Sequence, residues 1–88
     1  MMKPEELKAL VYQLAESMDV SPKEVQIRDM KHKWASCSSK GRLTFSKDLL
    51  TQDFGFIKEV VLHELLHLKI PNHGKLFKLL LKSYKETL

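Results

Sequence analysis

Apolar positions recur in this chain with two different periods, and the change between them divides it into segments. Leu7, Leu10, Val11, Leu14 and Met18 follow helical spacing, and Pro4 sits where a first helical turn tolerates a missing N–H. A first helix is therefore predicted from about Pro4 to Met18. Asp19 to Glu24 reads as a turn, in which Ser21-Pro22-Lys23-Glu24 can form one capped turn. The period then drops to two, with Val25 and Ile27 alternating with Gln26 and Arg28, which predicts a short strand. Second and third strands are predicted around Lys33 to Cys37 and Arg42 to Phe45. Ser38-Ser39-Lys40-Gly41 between them has the composition of a hairpin turn.

From Phe56 to Leu68 the periodicity almost vanishes, because Phe56, Ile57, Val60, Val61, Leu62, Leu65, Leu66 and Leu68 cover most of a helical circumference. A helix with so little polar surface is the buried centre of a fold. Its polar positions, Lys58, Glu59, His63, Glu64 and His67, then need separate explanations. Ile70-Pro71 ends it, since a residue before proline is pushed out of helical geometry. A last helix is predicted from about Gly74 to Thr87. Leu76, Phe77, Leu80, Leu81 and Tyr84 face inward in that reading, and Lys75, Lys78, Lys82 and Lys85 face outward.

Composition narrows the class. A chain of 88 residues fits one domain, residues 1–88, and 43% hydrophobic against 30% charged residues excludes a disordered or low-complexity segment. No apolar run approaches the roughly 18 residues that span a bilayer, so no membrane association is expected. The start, Met1-Met2-Lys3-Pro4-Glu5-Glu6, lacks the apolar core of a signal peptide, and one cysteine excludes an internal disulfide framework. The expected location is the cytoplasm. The net charge of +4 is uneven: residues 1–22 hold two lysines against four acids, whereas residues 23–52 hold seven basic residues against three acids. That basic middle is either an ordinary solvated surface or an attraction for nucleic acid or acidic peptides.

The chemistry lies in His63-Glu64-Leu65-Leu66-His67. Residues four apart on a helix lie about 40° apart around its axis, so both imidazoles project from one face and can reach one metal ion. Glu64 stands to the side of that pair. From there it can serve as general base toward a metal-activated water and then as proton donor to a leaving amine. A bland alternative is a pair of core histidines making ordinary hydrogen bonds, but burying two imidazoles and a carboxylate on an apolar helix is costly. A third ligand is needed. His73 follows His67 by six residues, past the Ile70-Pro71 break, and is the better candidate; Glu86 near the C-terminus is its rival. The His73 spacing equals that of the metzincin pattern, yet Ile70 replaces its glycine and no methionine follows for a Met-turn, so that class is excluded. Three protein ligands and one open position make a catalytic zinc site, whereas structural sites close with four.

These residues resemble the YgjP-like metallopeptidases of the zincin class. The resemblance runs from about Val20 to Leu80. It rests on Val25-Gln26-Ile27-Arg28-Asp29-Met30-Lys31, Trp34-Ala35-Ser36-Cys37-Ser38, the His63–His67 motif, and Asn72-His73 through to Phe77. Ala35 stands where the family usually has glycine, Gly74 where it has serine, and Lys78 where a second aromatic is frequent. The resemblance implies a zincin-like α+β fold: a small twisted sheet of about three strands, of antiparallel type, packed on a buried active-site helix between N- and C-terminal helices. It also implies one zinc ion per chain at His63, His67 and His73, with Glu64 catalytic.

The expected function is a zinc-dependent metallopeptidase that hydrolyses peptide bonds in peptide or protein substrates. Two alternatives come from other classes: a zinc-binding regulatory or assembly module without turnover, and a basic nucleic-acid-binding domain stabilised by zinc. Four further residues carry lesser expectations. Cys37 reads as a small buried hydrophobe, with a latent fourth ligand as the alternative. His32 reads as a surface histidine and Tyr84 as packing on the last helix, either being a conceivable oxyanion donor. Trp34 reads as core, with nucleic-acid stacking as the alternative.

Overall fold

In the computed structural model, which describes residues 1–88, the elements run α1 (Pro4–Ser17), β1 (Glu24–Arg28), β2 (Ala35–Cys37), β3 (Arg42–Ser46), α2 (Phe54–Leu66) and α3 (Lys75–Thr87). A short 3-10 helix, Lys47–Thr51, joins β3 to α2. The α1 start follows from Pro4 at the first turn and from Glu6, whose carboxylate accepts the Lys3 amide at 2.8 Å. Of the predicted stripe, Leu7, Val11, Leu14 and Met18 are buried, with Ala15 beside them, and Leu10 is partly buried at its margin. Asp19 then turns the chain at φ 56°, and Ser21–Lys23 runs without a helical turn into β1, so the capped turn expected there does not form.

The sheet order is β1-β3-β2. The β2–β3 pair is the expected antiparallel hairpin, with Ala35 opposite Phe45 and Cys37 opposite Leu43. Gly41 closes its turn at φ 87°, a conformation that penalises any side chain. The Ser38 hydroxyl accepts the Arg42 amide at 3.1 Å and the Lys40 amide at 3.3 Å. The sheet as a whole is mixed and not antiparallel throughout, because β1 pairs parallel with β3, Val25 lying opposite Leu43 and Ile27 opposite Phe45. The physical reason is that β3, with Leu43 and Phe45 fully buried, takes the central place. The hairpin then fills its far edge and leaves β1 the near one. Ala35 and Cys37 share the Leu43–Phe45 face by register, and that face packs on α2.

Helix α2 begins two residues earlier than its apolar run, because the Asp53 carboxylate caps it by accepting the Phe56 amide at 3.3 Å. Ile57, Val61, Leu62, Leu65 and Leu66 are all buried between α1, the sheet and α3, which makes α2 the centre of the single core. Helix α3 docks on it through fully buried Phe77 and through half-buried Leu80, Leu81 and Tyr84, and Lys85 reaches Glu59 of α2 at 2.7 Å. Leu76 departs from expectation: it is 60% exposed, since it sits at the margin of the inward arc. Trp34 is also not core. It is 40% exposed and stands edge-on to Phe56 with ring centroids 5.3 Å apart, covering one side of α2. No helix is long and apolar enough to cross a membrane.

Candidate metal centre

The last turn of α2 carries the polar groups that its apolar pattern left unexplained. His63 lies within the helix, and His67 is its C-terminal cap, still in helical geometry at φ −62°, ψ −21°. The two rings therefore project from one face. Their Nε2 atoms are 3.3 Å apart. The chain turns through Leu68–Pro71 and brings His73 back over the same face, its Nε2 3.1 Å from that of His63. One ligand atom from each of His63, His67 and His73 lies within 4.8 Å of the others. Tetrahedral zinc with bonds near 2.0–2.1 Å requires donor atoms about 3.3 Å apart, and the two separations from His63 match that spacing. Neither Cys37 nor Glu86 belongs to this cluster.

The aromatic neighbour is Phe77. Its ring lies 5.1 Å from His63, 4.8 Å from His67 and 4.8 Å from His73, centroid to centroid, and is itself buried. One side chain of α3 thus backs all three imidazoles and limits their rotation. From sequence, Phe77 reads as part of the docking face of α3. The signal for its second role is its place four residues after His73, which starts α3 next to the cluster.

Burial and neighbouring charge favour the neutral form of the two rings on α2, His63 and His67. Burial lowers the His63 pKa below the usual imidazole value, and the neighbouring charges of His67 and His73 lower it further, with Glu59 opposing. Burial and then His73 lower that of His67, against the backbone of Ile70 and Pro71, which stabilises the imidazolium. Neutral imidazole is the form that ligates a metal.

Glu64 has the opposite perturbation. Burial pushes its carboxyl up to about 7, and the Lys33 ammonium offsets only part of this. Its carboxylate makes no hydrogen bond to the protein, yet no buried side-chain oxygen is left unpaired. Its oxygens must therefore reach the open cleft. That cleft, about 530 Å³, is lined by β2 and the hairpin turn on one side (Ala35 to Ser39), by Lys33, and by His63, Glu64, His67, Pro71 and His73 on the other. A carboxyl whose proton equilibrium lies near neutral pH, beside the histidine cluster, is suited to taking up and returning a proton.

The lesser candidates are placed elsewhere or change character. Cys37 is half-buried on the cleft wall, donates weakly to the Ser38 carbonyl at 3.6 Å, and has its thiol pushed up by burial and by Glu64. It is a wall residue and not a core hydrophobe. His32 is exposed and lines a separate hollow with Met30, Lys31 and Trp34. Tyr84 packs against the core, as expected.

A buried helix that presents two histidines and a carboxyl to a cleft walled by an edge strand, with a third histidine brought back from the following loop, is the arrangement of a metallopeptidase domain. Residues 3–87 match the YgjP-like, metallopeptidase domain family, and the chain belongs to it. The crystal structure of the metallopeptidase zymogen of Methanocaldococcus jannaschii jannalysin is similar at a TM-score of 0.79 and 32% identity, covering 89% of this chain and 80% of that one. The metallopeptidase zymogen of Pyrococcus abyssi abylysin shares the fold at a TM-score of 0.75 and 22% identity, covering 86% of this chain and 76% of that one. No curated protein matches the chain.

Proposed function

We propose that this protein is a zinc-dependent peptidase, with His63, His67 and His73 as metal ligands and Glu64 as the proton-transfer group. The observation that carries the reading is the joint geometry: three ring nitrogens spaced for one ion, with an unpaired carboxylate next to them on the same cleft. A zinc ion held there would supply Lewis acidity, polarising the substrate carbonyl and making water nucleophilic near neutral pH. The chain's own residues would do the rest. An Oε atom of Glu64, whose carboxyl burial pushes up to about 7, accepts a proton from the attacking water and returns it to the departing amine nitrogen. Phe77 and the α2 backbone hold the imidazoles in place. β2 pairs with β3 on one edge only, so its free edge can hold an extended substrate by backbone hydrogen bonds.

The test is Glu64→Gln in protein whose metal content has been measured. The variant should keep one zinc per chain and lose peptide hydrolysis by about 100- to 10,000-fold. Equal turnover in variant and parent would reject the mechanism. Because jannalysin is described as a zymogen, the assay includes a sample nicked by limited proteolysis. Bound zinc with no turnover from either sample would favour the non-catalytic zinc module.

A further inference from the structure

Beside the histidine cluster the cleft does not end. A second hollow of about 720 Å³ shares Ser38, Ser39, His67 and Pro71 with it and extends to Lys23, Lys40 and Lys69. Lys33 stands at the other end, close enough to act on the Glu64 carboxyl. The histidines and Glu64 therefore lie partway along a continuous groove with an ammonium group at one end and three at the other.

Three observations give that charge a direction. First, all four lysines are exposed and none takes part in an ion pair, although Arg42, Lys47 and Lys85 elsewhere each have a carboxylate partner. Second, the acids along the groove are only Glu64, at the centre, and Asp19, at the far rim. Third, the walls carry few large apolar side chains: Ser21, Ser36, Ser38 and Ser39 line them, and Val20 and Leu68 are the larger hydrophobes. A peptide carrying bulky apolar side chains would find few large side chains of its own kind to pack against. One carrying carboxylates would find unpaired cations on both sides of the reacting centre.

We propose that the groove selects acidic peptide segments, with Lys33 engaging a carboxylate on one side of the scissile bond and Lys23, Lys40 and Lys69 engaging carboxylates on the other. This rests on the peptidase reading for its scissile bond, but the binding preference can be measured without turnover. Exposed ion pairs each contribute roughly 1.5- to 5-fold in binding, so several together give on the order of 10- to 100-fold, mostly in association rate and strongly weakened by salt. The walls suit an extended chain better than a nucleic acid. No exposed aromatic ring lines the groove to stack a base, since Trp34 lies on the separate hollow beyond Lys33.

The test uses zinc-loaded Glu64→Gln protein and fluorescent peptides that share a neutral centre and carry flanking Glu, Gln or Lys. Anisotropy at low salt should rank Glu above Gln above Lys by about tenfold or more, and physiological salt should compress the series. Lys40→Glu with Lys69→Glu should invert the ranking. Lys78→Glu with Lys82→Glu, which makes the same change in net charge on the exposed side of α3, should leave it intact. Inversion by both pairs, or no ranking at all, would overturn the proposal. So would tighter binding of a single-stranded oligonucleotide than of a peptide of equal charge. Parent enzyme that cleaves the whole series without preference would also overturn it while leaving the peptidase reading standing. Ranked binding without cleavage by parent, intact or nicked, would support the groove assignment and reject the peptidase reading alone.

Discussion

Glu24 and Glu64 are the same side chain in two regions of one small domain, and the protein treats them in opposite ways. On the sheet surface Glu24 is held by Arg42, its register partner across β1 and β3, at 3.0 Å, and by the Gln26 side-chain amide. Those hydrogen bonds lower its pKa below the usual carboxylate value. At the cleft Glu64 has no such partner, and burial pushes its carboxyl up to about 7. Partners make a carboxylate structural and keep its charge fixed. Leaving one partly buried without partners costs stability, and it places the proton equilibrium where chemistry at neutral pH can use it.

The largest test of this contrast is catalytic. If the two glutamates have separate roles, Glu64→Gln removes hydrolysis by about 100-fold or more, while Glu24→Gln changes it by less than about twofold. Comparable losses at both sites would show that general damage to the fold is being measured. Next in size is the metal. Removing zinc with chelator should lower the thermal midpoint by upwards of about 10 °C when free zinc had stood about 1,000-fold above its Kd. His63→Ala, His67→Ala or His73→Ala should abolish that difference, whereas truncation after Lys85 should preserve it. Loss of zinc on truncation, with retention in His73→Ala, would transfer the third ligand to Glu86.

What the sequence made legible followed from local spacing. The helical stripe of α1, the turn at Ser38–Gly41 and the pairing of His63 with His67 all depend on residues within one or two turns of each other. His73 was within reach because it follows His67 by only six positions, just past a proline break. What stayed hidden depends on distant partners or on competing signals. The parallel pairing of β1 with β3 joins segments 18 residues apart, Glu24 to Arg42, and alternation within a strand is the same for either direction. Asp53 extended α2 to Phe54 because its cap outweighed Gly55, a poor helix former. Trp34 looked like core by its type, but its place just before an edge strand left one ring face to solvent. The raised pKa of Glu64 could not be read from the motif, because it depends on burial and on Lys33, 31 positions away by the numbering of the chain.

The contrast also predicts opposite pH signatures in stability. For metal-free protein, Glu64 is protonated in both folded and unfolded states well below 4.5, and its burial then costs little. As pH rises toward about 7 the unfolded carboxylate ionises first, so the folded parent loses stability across that window and regains none above it. Glu64→Gln escapes this loss. The variant should therefore match the parent near pH 4 and exceed it by about 1–2 kcal/mol at pH 8, a value reduced from the full linkage because the group is still partly solvated. Urea melts at the two pH values in chelator check it. A gap that is unchanged or narrower at pH 8 would remove burial as the origin of the shift.

The smallest effect is expected at Glu24, and its sign is reversed. Its folded pKa is depressed, first by the Gln26 and then by the Arg42 hydrogen bond, so its contribution to stability is complete above the ordinary carboxylate value and disappears as pH falls through the depressed one. Both partners of the ion pair are about half exposed, 58% for Arg42 and 44% for Glu24, so water and salt screen it. Glu24→Gln should lower the thermal midpoint by no more than about 2 °C at neutral pH and by nothing measurable at high salt. Between pH 6 and 8, where the Glu64→Gln gap is approaching its limit, the Glu24→Gln gap should stay flat. A double-mutant cycle with Arg42→Gln separates the pair from the loss of either side chain alone. A pH-dependent Glu24→Gln gap above pH 6, or one as large as that of Glu64→Gln, would mean that hydrogen-bond partners do not distinguish the two carboxylates.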